Sequence, residues 1–152
     1  MENMEQKLRA FFDEYSTRTN RALADPPQVD VEATTSAFAD CFIEASPVGV
    51  SCGKNDEDFR QAIPKGLEFY RSIGTKAMNI ASLKVTPLDD YHWQVNIHWV
   101  ADYRRQDNSE ETIEFDVIYM VQVITDQPKI FAYITGDEEK TLRDRGLIPQ
   151  TS

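Results

Sequence analysis

Trp93-Gln94-Val95-Asn96-Ile97-His98-Trp99-Val100-Ala101-Asp102-Tyr103 is the stretch that decides the fold. Trp93, Val95, Ile97, Trp99 and Tyr103 fall on one side of an alternating pattern, with Ala101 small among them. Gln94, Asn96, His98 and Asp102 fall on the other, joined by the apolar Val100. Successive side chains of a strand face opposite sides of a sheet, so the pattern predicts a long strand with two chemically different faces.

A polar connection leads to a second strand over Ile113–Ile124, and the two form a hairpin. An odd number of loop residues puts Trp93, Val95, Ile97 and Trp99 on one face with Phe115, Val117, Tyr119, Val121 and Val123. An even number mixes the sets and places His98 beside Tyr119. Register decides the side that every residue faces, and the binary pattern favours the first arrangement. Strands also read over Ala77–Thr86, Tyr91–Tyr103 and Ile130–Thr135. Turn signals at Pro87-Leu88-Asp89-Asp90 and Asp126-Gln127-Pro128 separate them. Connections this short predict a sequential antiparallel meander.

Before Lys76 the period is helical. Met4, Leu8, Phe11, Phe12, Tyr15 and Leu23 give an amphipathic helix over Met4–Ala24, stopped by Asp25-Pro26-Pro27. Asp30 caps a second helix whose stripe is Phe38, Cys41, Phe42 and Ala45, ended by Pro47. Val48-Gly49-Val50 reads as a short strand. Asn55 or Asp56 caps a third helical region carrying Phe59, Ile63, Leu67, Tyr70 and Ile73, with Gly74 as terminator. Pro64 predicts a kink there, or two short helices in series. Glu138–Arg145 adds a helical turn or two, and Ile148–Ser152 reads as a frayed tail.

Residues 1–152 therefore read as one α+β domain. Its N-terminal helices cover one face of a strongly curved antiparallel sheet, which folds around them and leaves a tapered cavity at its open end. The net charge of −10 opposes nucleic-acid phosphates and anionic membrane surfaces, so neither is expected as a partner. Two cysteines, Cys41 and Cys52, are too few for a disulfide framework or a metal cluster. Cys41 is expected as a buried free thiol and Cys52 as the more accessible one. No cofactor or metal is expected. The first residues carry no apolar signal-peptide core and no run reaches membrane-spanning length, which predicts a soluble cytoplasmic protein.

The order of elements resembles a known family. It comprises a first helix, the run Phe38-Ala39-Asp40-Cys41-Phe42 and the Asp56–Ile73 helix. Then come Trp99-Val100-Ala101-Asp102-Tyr103-Arg104, Phe115-Asp116-Val117-Ile118-Tyr119, and Ile134-Thr135-Gly136-Asp137-Glu138-Glu139 before Gly146-Leu147. From Leu8 to Leu147 the chain resembles the nuclear-transport-factor-2-like superfamily, with its polyketide-cyclase-like and ketosteroid-isomerase-like members. The resemblance implies a cone-shaped barrel with an internal pocket, often paired into a homodimer through the outside of the sheet. Isomerase-like members use a carboxylate base with a tyrosine and a protonated acid. Asp40 and Tyr15 are of suitable types, though no matching motif surrounds them.

Among candidate catalytic residues, His98 could serve as a base. The plainer reading is a hydrogen-bonded histidine on the sheet exterior or in an interface. Asp116, between Phe115 and Val117, would have a raised pKa if buried alone. Paired with Arg104 or Arg105 across the hairpin it would be structural. Asp40 reads as solvated before it reads as catalytic. His92 is expected to be solvated. The densest chemical theme is aromatic, and Tyr15, Phe42, Tyr70, Trp99 and Tyr119 are the candidate pocket residues. The reading is a binder of a small apolar or aromatic ligand. Two alternatives stand beside it: an isomerase, cyclase or dehydratase using acid–base groups, and a dimeric interaction module without a ligand.

Overall fold

A computed structural model describes residues 3–149. Four helices and six strands follow in the order α1 (Met4–Leu23), α2 (Val31–Ser36), β1 (Phe38–Ser46), β2 (Gly49–Lys54), α3 (Glu57–Ser72), β3 (Thr75–Pro87), β4 (His92–Arg104), β5 (Glu110–Gln122), β6 (Lys129–Ile134) and α4 (Glu138–Asp144). The architecture is α+β, with the N-terminal helices against one face of a curved sheet.

The β4–β5 hairpin has the register that the alternation favours. Trp99 lies opposite Phe115, Ile97 opposite Val117, Val95 opposite Tyr119 and Trp93 opposite Val121. On this inner face Trp93, Val95, Ile97, Trp99, Val117, Tyr119 and Val121 are all buried. Leu8 and Phe12 of α1, both fully buried, press on them. Each such large side chain contributes about 1.5–3 kcal/mol relative to exposure, so this layer is the main source of stability.

Polar side chains lock α1 to β3, the edge strand beyond β4. The Ser16 hydroxyl donates to the Met78 carbonyl at 2.8 Å, and the Met78 N–H donates to the Asn20 side-chain oxygen at 2.8 Å. Arg9 donates to the Leu83 carbonyl at 2.9 Å. Backbone groups on an edge strand need partners other than a neighbouring strand, and α1 supplies them.

The second helix is a correction. α2 ends at Ser36, and Phe38–Ser46 is a strand. Phe38 and Phe42 lie four residues apart, an even spacing that puts them on one side of a strand as readily as of a helix. Tertiary pairing breaks the tie. β1 runs antiparallel to β2 and parallel to β6, where Ala45 sits opposite Ile134. Asn55 secures this corner, donating through its amide to the Thr35 and Phe38 carbonyls at 2.8 and 3.2 Å. Cys41 is consequently exposed on a strand rather than buried on a helical stripe, and Cys52 is exposed and free too.

The sheet order is β2-β1-β6-β5-β4-β3, so the meander expectation holds only for β3 to β6. β2 and β3 are open edges, and the sheet curves without closing into a barrel. α3 is one helix through Pro64, not two in series. It lies at the surface with no fully buried residue, so the carbonyl that Pro64 cannot serve is free to meet water. Leu142 of α4 packs with Ala101, Tyr103 and Ile113, and Leu147 and Ile148 join that cluster instead of fraying. The rest of the expected tail, residues 150–152, lies outside the described residues.

Candidate functional site

The surface-lying α3 leaves room between itself, α1 and the sheet. Trp99, Val117 and Tyr119 of the sheet form the floor of a cavity of about 420 Å³. Tyr15, Thr19 and Leu23 of α1 line one side of it, and Leu67 and Tyr70 of α3 another. Glu44 of β1, Tyr133 of β6 and the Thr135–Glu139 stretch complete the wall. A neighbouring space of about 330 Å³ shares Tyr15, Phe38, Leu67, Tyr70 and Tyr133 and extends between the helices.

The aromatic rings touch in sequence. Tyr15 lies 6.2 Å from Trp99 and 6.4 Å from Tyr119, and Tyr119 lies 6.3 Å from Tyr133, centre to centre. The Trp99 indole N–H donates to the Tyr119 hydroxyl at 3.2 Å. Burial raises the pKa of all four cavity tyrosines, Tyr15, Tyr70, Tyr119 and Tyr133. Carboxylate charge adds to burial in two cases, from Glu138 on Tyr70 and from Glu44 on Tyr133. At neutral pH these phenols are uncharged O–H donors.

Two carboxylates stand beside the phenols. Tyr70 donates to Glu138 at 2.5 Å, and Glu44 faces the Tyr133 hydroxyl. Glu138 is exposed as a residue, yet its carboxyl dips among the rings. Burial raises its pKa, the Glu44 charge raises it further, and the Tyr70 hydroxyl opposes both. A carboxyl held above its ordinary range beside a phenol can give or take a proton. The cavity thus offers aromatic faces, hydroxyl donors and one perturbed acid.

Of the residues singled out from sequence, Tyr15, Tyr70, Trp99 and Tyr119 come together in this cavity. Phe42 does not line it. Its ring packs on Phe38 and Phe59, each 5.0 Å away, and against the bare backbone of Gly53. The three proposed acid–base residues lie elsewhere. His98 and Asp116 face each other on the outer side of the hairpin, where the imidazole meets Asp116 at 2.8 Å and Glu114 at 2.9 Å. Asp116 therefore pairs with His98, while Arg104 and Arg105 take Glu110 and Glu111 instead. Asp40 is exposed on β1. His92 is not simply solvated, since it meets Asp89 at 2.8 Å and Gln122 at 3.0 Å.

Sequence reasoning missed Glu44 and Glu138. Glu44 lay in a segment read as helix, and Glu138 in an acidic run that looks like an ordinary helix start. The signal available was parity: once Phe42 is known to point inward on a strand, Glu44 must follow it. Among the described residues no group of three or more His, Cys, Asp or Glu could hold a metal ion, and no helix is long and apolar enough to cross a membrane.

A family model described as NTF2-like protein (DUF6841) matches residues 5–138. No curated protein matches the chain. Among solved structures, an NTF2-like protein with a cystatin-like fold from Novosphingobium aromaticivorans superposes with a TM-score of 0.67 at 12% identity, covering 96% of this chain and 89% of that one. A ketosteroid isomerase-like protein from Erwinia carotovora atroseptica gives 0.58 at 14% identity, over 84% and 91%. An NTF2-like protein of unknown function from Shewanella oneidensis gives 0.57 at 17%, over 85% and 98%. At these identities the likeness is one of fold.

Proposed function

The chain belongs to the NTF2-like family, and on that premise we propose that its cavity binds a small, largely apolar or aromatic ligand. The observation that carries this reading is the cluster of Tyr15, Trp99, Tyr119 and Tyr133 around about 420 Å³ of space, within the range of small-molecule sites. Apolar area from the rings supplies affinity, and the hydroxyls fix orientation. Tyr15, Tyr70, Trp99 and Tyr119 are the contacts on this reading.

Trp99 lines the cavity, so its fluorescence should report occupancy. Titration with small aromatic compounds is expected to give saturable quenching that Val117→Trp, which plugs the floor, abolishes. Absence of saturable quenching by any apolar or aromatic compound would overturn the reading.

A second reading, acid–base catalysis in the same space, is favoured by the Tyr70–Glu138 pair. Asp40, His98 and Asp116 have no part in it, since none reaches the cavity. Deuterium exchange at the α-carbon of an enolisable aryl ketone, followed by NMR, tests it. Acceleration that Glu138→Gln removes supports it, and no acceleration over buffer sinks it.

We propose too that two copies pair through the outer face of the sheet. Ile118 lies opposite Ile134 there, and Ile124 and Ile134 are 66% and 49% exposed, an apolar strip that water disfavours. Charge introduced at Gln122 or Asn96 should shift the mass measured by light scattering, and an unchanged dimer would exclude this face. Two exposed free thiols suit a reducing compartment, consistent with a cytoplasmic location.

A further inference from the structure

We propose that the cavity selects a ligand whose aromatic or apolar body carries a positively charged amine, seated between Glu44 and Glu138. This rests on the reading of the cavity as a binding site and adds the charge of what enters it.

The lining contains Glu44, Asp137, Glu138 and Glu139 and no lysine, arginine or histidine. Two of the four are engaged within α4. Asp137 caps the helix by accepting the Lys140 N–H at 3.1 Å, and Glu139 pairs with Arg143 at 2.7 Å. Glu44 and Glu138 have no ion-pair partner among the described residues. Each instead faces a neutral phenol, Tyr133 and Tyr70 respectively. Their proximity is felt, because the Glu44 charge holds the Glu138 carboxyl above its ordinary range on top of the effect of burial. Two like charges bordering an aromatic space repel each other, and a cation between them relieves the repulsion.

Two independent features point to an occupant. Tyr15 is half-buried and lines the cavity, and no hydrogen-bond partner meets its hydroxyl among the described residues. A cavity-lining hydroxyl with no protein partner is free to meet a guest's polar atom. The rings of Tyr15, Trp99, Tyr119 and Tyr133 also present electron-rich faces that attract ammonium groups. The Tyr15 ring takes a cation already: the Arg18 guanidinium carbon stands 5.4 Å from its centre. Arg18 does not neutralise Glu44 or Glu138, since it pairs with Glu14 and lines only the neighbouring space. A carboxylate ligand, by contrast, would add a third negative charge to the pair.

The test compares three probes of one shape: phenethyltrimethylammonium, its uncharged carbon isostere 3,3-dimethylbutylbenzene, and 3-phenylpropanoate. Binding is followed by Trp99 fluorescence in the intact protein and in Glu44→Gln/Glu138→Gln. The ammonium is expected to bind about ten-fold or more tighter than the isostere, and the carboxylate more weakly than either. The double variant should lose the preference while keeping the isostere's affinity, which shows that it is folded and the cavity intact. Equal affinity of ammonium and isostere in the intact protein overturns this inference and leaves the binding-site reading standing. Failure of all three to bind overturns both. A preference that survives in the double variant also overturns the inference, because the charge would then be read elsewhere.

Discussion

The indole N–H of Trp99 donates to the hydroxyl of Tyr119 at 3.2 Å on the inner face of the sheet, where the two residues are 2% and 6% exposed. This bond joins β4 to β5 at the cavity floor. Tyr119→Phe removes the acceptor and strands a buried donor. The expected cost is about 1–3 kcal/mol, the penalty for an unsatisfied buried polar group. Urea unfolding measures it, and an unchanged midpoint with an unchanged slope would show that the bond stabilises nothing.

Glu138→Gln should behave in the opposite sense at neutral pH. The folded-state pKa of Glu138 is raised, by burial first and by Glu44 second. The folded state thus holds this proton more tightly than the unfolded chain does. Stability falls as pH rises from the ordinary glutamate pKa through the raised one, and the penalty is constant above both. Glutamine keeps an oxygen to accept from Tyr70 and carries no charge. The variant should therefore melt higher than the parent at neutral pH, the gap shrinking as pH drops below the ordinary glutamate range. A variant that melts lower at neutral pH, by an amount independent of pH, would contradict this account of the site.

How much of this was legible beforehand depended on whether a local pattern had one solution. Trp93 to Tyr103 alternate with Val100 as the one apolar exception on the polar side, and such a run buries its large residues only as a strand, so β4, its partner and their register could be read directly. Phe38 and Phe42 were ambiguous because a spacing of four suits both periods, and only pairing with β2 and β6 settles it. The parallel β1–β6 contact joins residues some ninety positions apart, such as Glu44 and Tyr133, which no local signal marks. The tyrosines and Trp99 were visible as chemistry because aromatics with polar tips are uncommon in such density. Glu44 and Glu138 were not, since a surface glutamate and a cavity glutamate look alike until the chain is folded.

Gly74 should not tolerate a side chain. Its φ of +91° lies in the region that favours glycine, and a Cβ there would stand 2.0 Å from the Arg104 carbonyl oxygen. Its own carbonyl accepts the Arg104 N–H at 2.8 Å, so the close approach is what starts the β3–β4 pairing. Gly74→Ala combines backbone strain with a backbone clash and should cost on the order of 3 kcal/mol. Thermal melting checks it. A variant of parental stability would mean that the end of α3 has room to shift away from β4.

His98 lies on the other face of the same hairpin, its two ring nitrogens meeting Glu114 at 2.9 Å and Asp116 at 2.8 Å. On β3 its neighbour is Ser82, with Lys84 two pairs along beside Asn96. Hydrogen bonds donated by the ring to Glu114 and then to Asp116 favour the imidazolium, so the pKa rises above the ordinary histidine value. The folded state binds this proton more tightly than the unfolded chain. The stabilisation is fully present below the unfolded pKa of about 6.5 and is lost as pH climbs through the higher folded value. His98→Gln can still donate to one carboxylate but carries no charge. The parent should therefore out-melt the variant near pH ~6 and lose that advantage by pH ~9. An NMR titration of the imidazole C2 proton reads the same quantity directly, and a midpoint at or below the ordinary value would refute it. Because both carboxylates are well exposed, added salt should narrow the difference, which an effect of packing alone would not do.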